Sequence, residues 1–361
     1  MRDKKNFFAG PSVLPLEVLE ALQSDLLDYK GSGVSMIEAS HRGEPFEGMY
    51  NETLSLLREL MNIPADYDIF FLGGGATLQF TMIPMNFLPP NGVADYIKSG
   101  TWANKATEDA SKLGKVNLYY DGSDNKFTSL PEASSVKPSK NSSYLYLCSN
   151  ETIGGIEWQD WPETGNVPLI ADMSSDLLSR PVPVEKFSMI YGGVQKNLGP
   201  AGATLIIMKK EMLERQNKNL TAYMDYSLHA KNDGLYNTPP VFSIWAVKLV
   251  LEWIKKNGGA VGMEKRASLK SSIIYDTIDN SGGFITSPVD KAYRSKMNIV
   301  FRLQSEELEK KFLSEAKQHG MLGLKGHRSV GGLRASVYNS LPVEDVMALS
   351  DFMKEFQRAN G

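Results

Sequence analysis

The sequence predicts an α/β fold in which helices cover both faces of a mainly parallel β-sheet. Strand-like and helix-like segments alternate along the chain, as they do in such folds. The strand-like segments are short, rich in β-branched or aromatic residues, and apolar throughout rather than alternating, which is typical of strands buried on both faces. The length of 361 residues suggests one large or two ordinary domains.

Apolar residues that recur every three or four positions predict the first two helices. One helix follows Pro15 and contains the leucines between Leu16 and Leu27, and the next runs from about Phe46 to Met61. Seven short apolar segments then form the strands of the predicted sheet: Ile69–Leu72, Val93–Ile97, Val116–Tyr120, Tyr144–Cys148, Pro168–Met173, Met189–Gly192 and Thr204–Met208.

A long apolar helix at Val241–Lys256 closes this region, and the stop signal Asn257-Gly258-Gly259 follows it. A more polar helix, at about 263–280, leads to a C-terminal unit. That unit has predicted strands at Asn298–Leu303 and Leu333–Val337 and predicted helices at Ser305–Gln318 and Pro342–Gln357. We predict a large domain at 16–261 and a small α+β domain formed by 1–15 and 262–361.

Charge and composition exclude several classes of protein. The chain has 39 Lys and Arg residues against 42 Asp and Glu, so a strongly basic nucleic-acid binder is excluded. The single cysteine, Cys148, excludes an internal disulfide and a multi-cysteine metal site, and no metal is expected. No run of 18 apolar residues occurs, and the N-terminus lacks the apolar segment of a secretory signal. We therefore expect a cytoplasmic protein with no membrane partner.

The segment from Gly73 to Thr77, directly after a predicted strand, is the first candidate site. A helix that begins there points backbone N–H groups and the positive end of its dipole at an anion such as phosphate. No Gly-Lys-Ser/Thr follows, so it is not a Walker A loop, and Leu78 stands where the dinucleotide fingerprint needs a third small residue. The residues alone fit both a phosphate cradle and a simple turn.

Two charged residues at strand ends complete the pattern. Asp172 ends a buried strand, where open α/β sheets bind ligands, although a turn or capping role also fits a single aspartate. Lys196 follows the next strand among small and apolar residues, which would desolvate its amine and lower its pKa. A phosphate cradle, a carboxylate and such an amine together match the phosphate, ring nitrogen and aldehyde of pyridoxal 5′-phosphate (PLP).

Nearly the whole chain resembles the phosphoserine aminotransferases, which are class V members of the fold-type I PLP-dependent transferases. The resemblance implies that fold for the large domain. It rests on the triple glycine and on eight further segments: Asn6–Pro11, Glu38–Arg42, Ser99–Trp102, Asn150–Gly155, Ala171–Ser175, Gln195–Gly202, Tyr236–Pro240 and, most specifically, Gly326–Asn339.

The resemblance implies a set of cofactor contacts. Lys196 would bind PLP covalently and Asp172 would keep the ring nitrogen protonated. Trp102 would stack on the ring and Thr152 would contact the ring oxygen. The phosphate contacts would be Ala76, Thr77 and Gln195, with Asn237 and Thr238 supplied by the second subunit of a homodimer. Some relatives have a basic residue at the position of Thr77, so the backbone would bind more of the phosphate here.

The resemblance also implies the substrates and a ping-pong mechanism. Glutamate would give its amino group to 3-phosphohydroxypyruvate in serine biosynthesis, and the related pyridoxine-pathway substrate stays open. Arg334 would bind the α-carboxylate. Four residues would bind the phosphate or γ-carboxylate: His41, Arg42, His327 and Arg328. Arginine suits both anions, because its guanidinium binds carboxylate and phosphate with two parallel hydrogen bonds.

Other functions remain open on the residues alone. The nearest are other class V enzymes, such as a serine–glyoxylate aminotransferase or a cysteine desulfurase. A desulfurase needs a mobile nucleophilic cysteine, whereas Cys148 ends an apolar strand and is expected to be buried. An oxidoreductase on a Rossmann sheet lacks support because the third glycine is missing. A non-catalytic PLP carrier or interaction protein is a further alternative.

Overall fold

The structure is a computed structural model that describes residues 3–361. Within these residues the central sheet has seven strands: β2 (Tyr67–Leu72), β3 (Val93–Lys98), β4 (Lys115–Asp121), β5 (Ser142–Cys148), β8 (Leu169–Asp172), β9 (Met189–Gly193) and β10 (Thr204–Lys209). Their order is β2-β10-β9-β8-β5-β3-β4. All neighbours from β9 to β4 run parallel, and only β10 is antiparallel to its neighbours. The predicted fold class is confirmed.

The remaining strands are short or belong to the C-terminal unit: β1 (Lys5–Asn6), β6 (Asn150–Glu151), β7 (Ile156–Glu157), β11 (Ile285–Thr286), β12 (Asn298–Leu303), β13 (Met321–Leu322) and β14 (Leu333–Ser336). The α-helices are α1 (Leu16–Ser24), α2 (Glu44–Leu60), α3 (Gly75–Phe87), α4 (Thr101–Leu113), α5 (Tyr226–Lys231), α6 (Val241–Lys256), α7 (Gly259–Asp279), α8 (Glu306–Gln318) and α9 (Val343–Asn360). Among the helices of residues 3–361, none has the length and apolar character needed to cross a membrane.

Four sequence predictions were wrong in detail. The first helix ends at Ser24, so Leu26 and Leu27 lie beyond it. The strand β4 is exposed along much of its length rather than buried on both faces. It lies at one edge of the sheet and pairs with β3 alone among the described residues, whereas β2 at the other edge is buried. The helix α7 begins at Gly259 rather than Met263, since the left-handed backbone of Gly258 both ends α6 and starts the next helix. Pro342 precedes α9 instead of lying in its first turn.

Hydrophobic side chains form separate clusters around the central sheet and in the C-terminal unit. The C-terminal cluster surrounds Phe312 and also contains Phe7 from the N-terminal segment. The helix α7 contributes Met263 to a cluster beside the central sheet and Ile274 to the C-terminal cluster. The predicted domain boundary at 261/262 therefore falls inside one continuous helix, and the division at 16–261 stays a prediction.

Buried hydrogen bonds join the C-terminal unit to the strand ends of the central sheet. The amide of Asn150 donates to Oδ1 of Asn298 at 2.8 Å, and the amide of Asn298 donates to the hydroxyls of Ser336 and Tyr338. The backbone N–H of Asn339 donates to Asn197 at 3.0 Å. Because each of these groups is buried, losing one partner would leave another polar group unsatisfied. The two parts thus meet at a fixed polar interface.

The N-terminal segment crosses this interface. Strand β1 pairs in parallel with β13, near the C-terminal end of the fold. The carbonyl of Ala9 then accepts a hydrogen bond from the Tyr338 hydroxyl at 2.8 Å. The backbone N–H of Ser12 donates to the carbonyl of Gln195 at 3.1 Å, and its hydroxyl donates to the carbonyl of Lys196. Residues far apart in the chain therefore enclose Lys196.

Candidate active site

Lys196 lies in a buried position just beyond strand β9, and only 8% of its surface is exposed. Its amine Nζ donates a hydrogen bond of 2.6 Å to the hydroxyl Oγ1 of Thr152. A Cβ atom on Gly10, whose φ of +132° already favours glycine, would approach the Lys196 side chain to 3.3 Å. The amine is therefore fixed in direction, and it lies apart from bulk water.

This environment changes the basicity of the amine. Burial lowers the pKa of Lys196 below its ordinary value, because a charged ammonium loses hydration there. The negative charges of Asp172 and Glu151 oppose this effect, and the positive charge of Arg334 adds to it. More of the amine is then neutral near pH 7 than for a surface lysine, as an amine that attacks a carbonyl or accepts a proton requires.

Asp172 ends strand β8 and has 4% of its surface exposed. Its carboxylate oxygen Oδ1 accepts hydrogen bonds from the backbone N–H of Ser174 at 2.8 Å and from the hydroxyl of Ser174 at 2.6 Å. The same hydroxyl accepts a hydrogen bond of 3.0 Å from the backbone N–H of Gly193, the last residue of strand β9. Because these bonds use Oδ1, Oδ2 can accept from a protonated ring nitrogen.

The triple glycine forms the turn from strand β2 into helix α3. Gly74 has a φ of +84°, and a Cβ atom there would lie 2.5 Å from a methyl carbon of Leu78. No side chain caps the helix, and its first turn has no acidic residue. The N–H groups of Ala76 and Thr77 thus lie at an uncapped, positive helix end, which suits a phosphate. The side chain of Thr77 is exposed.

Trp102 and Thr152 lie beside the lysine. The half-buried Trp102 is in the first turn of α4, and its ring centre is 5.7 Å from the Lys196 amine. Its indole Nε1 is buried without a hydrogen-bond partner among the described residues. Thr152 also binds Arg334, since its carbonyl accepts from the guanidinium Nη1 at 3.0 Å. One threonine therefore links the amine to an arginine.

Positive charges surround the outer part of the site. Arg334 is 9% exposed, and its Nε is buried with no partner in residues 3–361, so the guanidinium can donate further to an anion. Burial and the positive charges of Arg334, Arg328 and Lys105 lower the pKa of His327. The loop that contains His327 and Arg328 is tight: a Cβ atom on Gly332 would lie 2.7 Å from the side chain of Arg302.

The single chain brings only some of the predicted site residues together. Gln195 is half-buried beside Lys196, and its side chain lies next to Gly193. Within residues 3–361, no hydrogen bond or ion pair joins the remaining four predicted residues to Lys196, Asp172 or Arg334. His41 is half-buried with an unpartnered Nε2, Arg42 is exposed, and both Asn237 and Thr238 are exposed.

Sequence reasoning missed two residues of the site. The Lys105 amine lies 4.7 Å from the ring centre of Trp102, three residues earlier on α4, a spacing that puts both on one helix face. Glu151 is fully buried and contacts the start of α4. Its position beside Thr152 was the available signal. Cys148 is buried with a pKa raised by desolvation, so it is not the exposed nucleophile of a desulfurase.

We predict that Thr152→Val lowers the pKa of the Lys196 amine further in the cofactor-free protein. The valine removes the acceptor that stabilises the charged ammonium but keeps the backbone carbonyl that binds Arg334. Competitive acetylation with acetic anhydride across pH, read by mass spectrometry, measures this pKa. Thr152→Ser keeps the hydroxyl and serves as the control. An identical midpoint for Thr152→Val and the unmodified protein would contradict the prediction.

Known proteins resemble this chain over nearly its whole length. A family model described as class V aminotransferase matches residues 5–349. The phosphoserine aminotransferase of Lysinibacillus sphaericus (strain C3-41) is 49% identical over 98% of both chains. The phosphoserine aminotransferase of Bacillus subtilis (strain 168) is 47% identical over 100% of both chains. These similarities far exceed what is needed to assign a family.

Solved structures agree with this assignment. The phosphoserine aminotransferase from Bacillus circulans subsp. alkalophilus matches with a TM-score of 0.97 and 47% identity, over 99% of both chains. A PLP-bound phosphoserine aminotransferase from Trichomonas vaginalis matches with a TM-score of 0.92 and 38% identity, over 97% of this chain and 99% of that chain. The chain therefore belongs to the class V aminotransferases, which are PLP-dependent enzymes.

Proposed function

We propose that this chain catalyses the phosphoserine aminotransferase reaction. It transfers the amino group of L-glutamate to 3-phosphohydroxypyruvate, giving O-phospho-L-serine and 2-oxoglutarate. The observation that carries the proposal is the arrangement of Arg334 and the His327-Arg328 loop outside one buried lysine. Both amino acids have an α-carboxylate and a second anion, and this pocket offers a separate positive group for each. The names of the close relatives support the same reaction.

The site residues fit PLP. The uncapped N-terminus of α3 would bind its phosphate through Ala76 and Thr77, with Gln195 beside it. Asp172 would bind the ring nitrogen through its available oxygen, and Lys196 would hold the aldehyde carbon. The ring would lie against Trp102. When bound, PLP supplies an electron sink that stabilises negative charge at the α-carbon of the substrate.

The proton transfers are assigned to Lys196. Burial lowers the pKa of its amine, so the neutral form can take a proton from the substrate α-carbon. The protonated amine would then act as an acid and give this proton to the carbon of the cofactor that had been the aldehyde carbon. Thr152 and the N-terminal segment restrict how the side chain can move, because they bind its amine and its backbone carbonyl. A base that is held near the reacting carbon in this way gains from proximity.

Arg334 would orient both substrates by the same carboxylate. Its guanidinium is fixed through Nη1 to the Thr152 carbonyl, while its unpartnered Nε leaves a donor for the substrate. The second anion, a phosphate or a γ-carboxylate, would lie towards His327 and Arg328. Because glutamate and phosphoserine use one pocket, they must bind in turn, which is a ping-pong sequence.

A homodimer would complete this site. No hydrogen bond or ion pair joins His41, Arg42, Asn237 or Thr238 to Lys196 within residues 3–361. Arg42 nevertheless has the positive charge that suits an anion, and the amide of Asn237 and the hydroxyl of Thr238 can donate hydrogen bonds to a phosphate. We propose that they serve the active site of the partner subunit: Asn237 and Thr238 at the cofactor phosphate, and His41 and Arg42 at the substrate anion. We further propose that the enzyme acts in the cytoplasm, in serine biosynthesis.

An amino-acceptor screen tests the reaction directly. With glutamate as donor, we expect 3-phosphohydroxypyruvate to be used at least tenfold more efficiently, in kcat/KM, than pyruvate, glyoxylate or oxaloacetate. The reason is that pyruvate and glyoxylate have no second anion for the His327-Arg328 loop, and the second carboxylate of oxaloacetate lies closer to its keto group and has less charge than the phosphate. Lys196→Ala, which removes the amine, should abolish transfer to every acceptor. Glyoxylate as the best acceptor would instead favour a serine–glyoxylate aminotransferase.

Two arginine variants separate the two anion sites. We expect Arg334→Ala to lower kcat/KM for glutamate and phosphoserine alike, by about a hundredfold, because both lose the partner of the same carboxylate. We expect the exposed Arg328→Ala to affect phosphoserine more than alanine, which has no second anion. Steady-state kinetics with the three amino donors measure both effects. An Arg334→Ala enzyme that loses activity with only one of the two donors would contradict the assignment.

Mixed subunits test the shared site. We expect both Lys196→Ala and the double variant Asn237→Ala/Thr238→Ala to be impaired alone at limiting PLP. Subunits mixed after reversible dissociation should recover about a quarter of the unmodified activity, because half of the dimers are mixed and each has one intact site. Mixing Lys196→Ala with Asp172→Ala is the control that should recover nothing. Absence of recovery in the first mixture would mean that Asn237 and Thr238 serve their own chain.

A further inference from the structure

The carboxylate of Glu151 is fully buried at the start of helix α4. It accepts hydrogen bonds from the backbone N–H of Trp102 at 3.0 Å and of Ala103 at 2.8 Å. The residue before the helix, Gly100, provides no side-chain cap. Glu151 therefore caps α4 from a different part of the chain, and its bonds fall on the same turn that contains Trp102.

No cationic side chain forms an ion pair with Glu151 within residues 3–361. Its charge is stabilised instead by the two N–H groups and by the positive end of the α4 dipole. The pKa of Glu151 is raised to about 7, because burial, helped by the charge of Asp172, outweighs the N–H groups and Lys196, which lower it. A buried carboxylate without an ion pair is costly. Its presence here indicates a role that a neutral residue would not fill as well.

The space around the carboxylate is closely fitted. A Cβ atom on Gly100 would lie 2.6 Å from the Glu151 carboxyl carbon. The φ of Gly100 is 174°, an extended conformation that any residue can adopt, so glycine is needed only for room. Any side chain at position 100 would therefore displace the carboxylate from α4.

Glu151 also lies next to the residue that orients the lysine. Its neighbour Thr152 accepts from the Lys196 amine through its hydroxyl and from Arg334 through its carbonyl. Two consecutive residues thus bind the lysine, the substrate arginine and the turn that contains Trp102. The centre of the Trp102 ring lies 5.7 Å from the Lys196 amine.

We propose that Glu151 is a positioning residue for the transamination reaction, which fixes the Trp102 ring relative to Lys196 by holding the first turn of α4. The inference rests on the proposed function in one respect, namely that the Trp102 ring faces the cofactor. It assigns no chemical step to Glu151 itself. The residue acts through the backbone of Trp102.

The test compares the holoenzyme with Glu151→Gln. The amide keeps the shape but turns one donor towards an N–H group, so one of the two bonds to α4 is lost. We expect PLP to be released about tenfold faster and its visible circular dichroism to decrease, since the ring is less firmly held. The kcat should fall about tenfold, whereas the KM for glutamate, set by Arg334, should change less than twofold.

Asp176→Asn is the matched control. Asp176 is also a fully buried carboxylate with a pKa raised to about 7 by burial, but it contacts Ser149 and Arg180 rather than α4. We expect this variant to lower thermal stability while the release rate and visible circular dichroism stay within twofold of the unmodified holoenzyme. If Asp176→Asn changes both quantities as much as Glu151→Gln does, loss of any buried charge explains the result and the proposal is overturned.

Gly100→Ala tests the contact between the Glu151 carboxylate and helix α4 without changing Glu151. It remains informative if Glu151→Gln fails to fold. Its methyl group must displace the Glu151 carboxylate, so we expect the same faster release and weaker circular dichroism. In the double variant the two effects should not add, because both act on one contact. Additive effects, or an unchanged holoenzyme in both single variants, would overturn the proposal. If the unmodified protein binds no PLP, the proposed function fails instead.

Discussion

The hydrogen bond between the Lys196 amine and the Thr152 hydroxyl is the interaction on which the rest of the site depends. A buried amine needs a hydrogen-bond acceptor, and Thr152 provides it. Thr152 belongs to a segment of four residues, 149–152, whose other members bind further parts of the structure. Ser149 binds the carbonyl of Asp172, and Asn150 binds Asn298 of the C-terminal unit. Because these partners converge on four consecutive residues, the lysine, the acidic strand end and the substrate arginine have one common point of reference.

This convergence relates the fold to the chemistry. The parallel strands β8 and β9 place Asp172 and Lys196 together at the carboxyl ends of the strands. Open parallel sheets generally bind their ligands at these ends. Arg334 comes from β14 in the C-terminal unit, and it reaches the same place by binding the carbonyl of Thr152. The polar interface between the two parts is therefore more than a structural contact. It fixes where a substrate carboxylate can lie relative to the amine.

The sequence predicted the strands and the lysine–aspartate pair because those features depend on local patterns: apolar segments, strand ends and glycine turns. The family and the cofactor were also predicted, and the comparisons confirmed both. Glu151 and Lys105 were missed because their local signals, a position beside Thr152 and a spacing of three residues from Trp102, acquire meaning only from neighbours in space. The exposure of β4 was missed because strand order is not local either. The roles of all the predicted site residues stay predictions, those of His41 and Arg42 included.

The N-terminal segment also has a consequence for how the protein is made. Its residues Lys5 and Asn6 pair with Met321 and Leu322, and Ser12 binds the backbone of Lys196. During translation Lys5 and Asn6 must wait for their partners until more than 300 further residues have been synthesised. The central sheet can assemble earlier, from strands that are close in sequence. The enclosure around the reactive lysine is consequently among the last parts of the nascent protein to form, so a chain released prematurely lacks a finished catalytic centre.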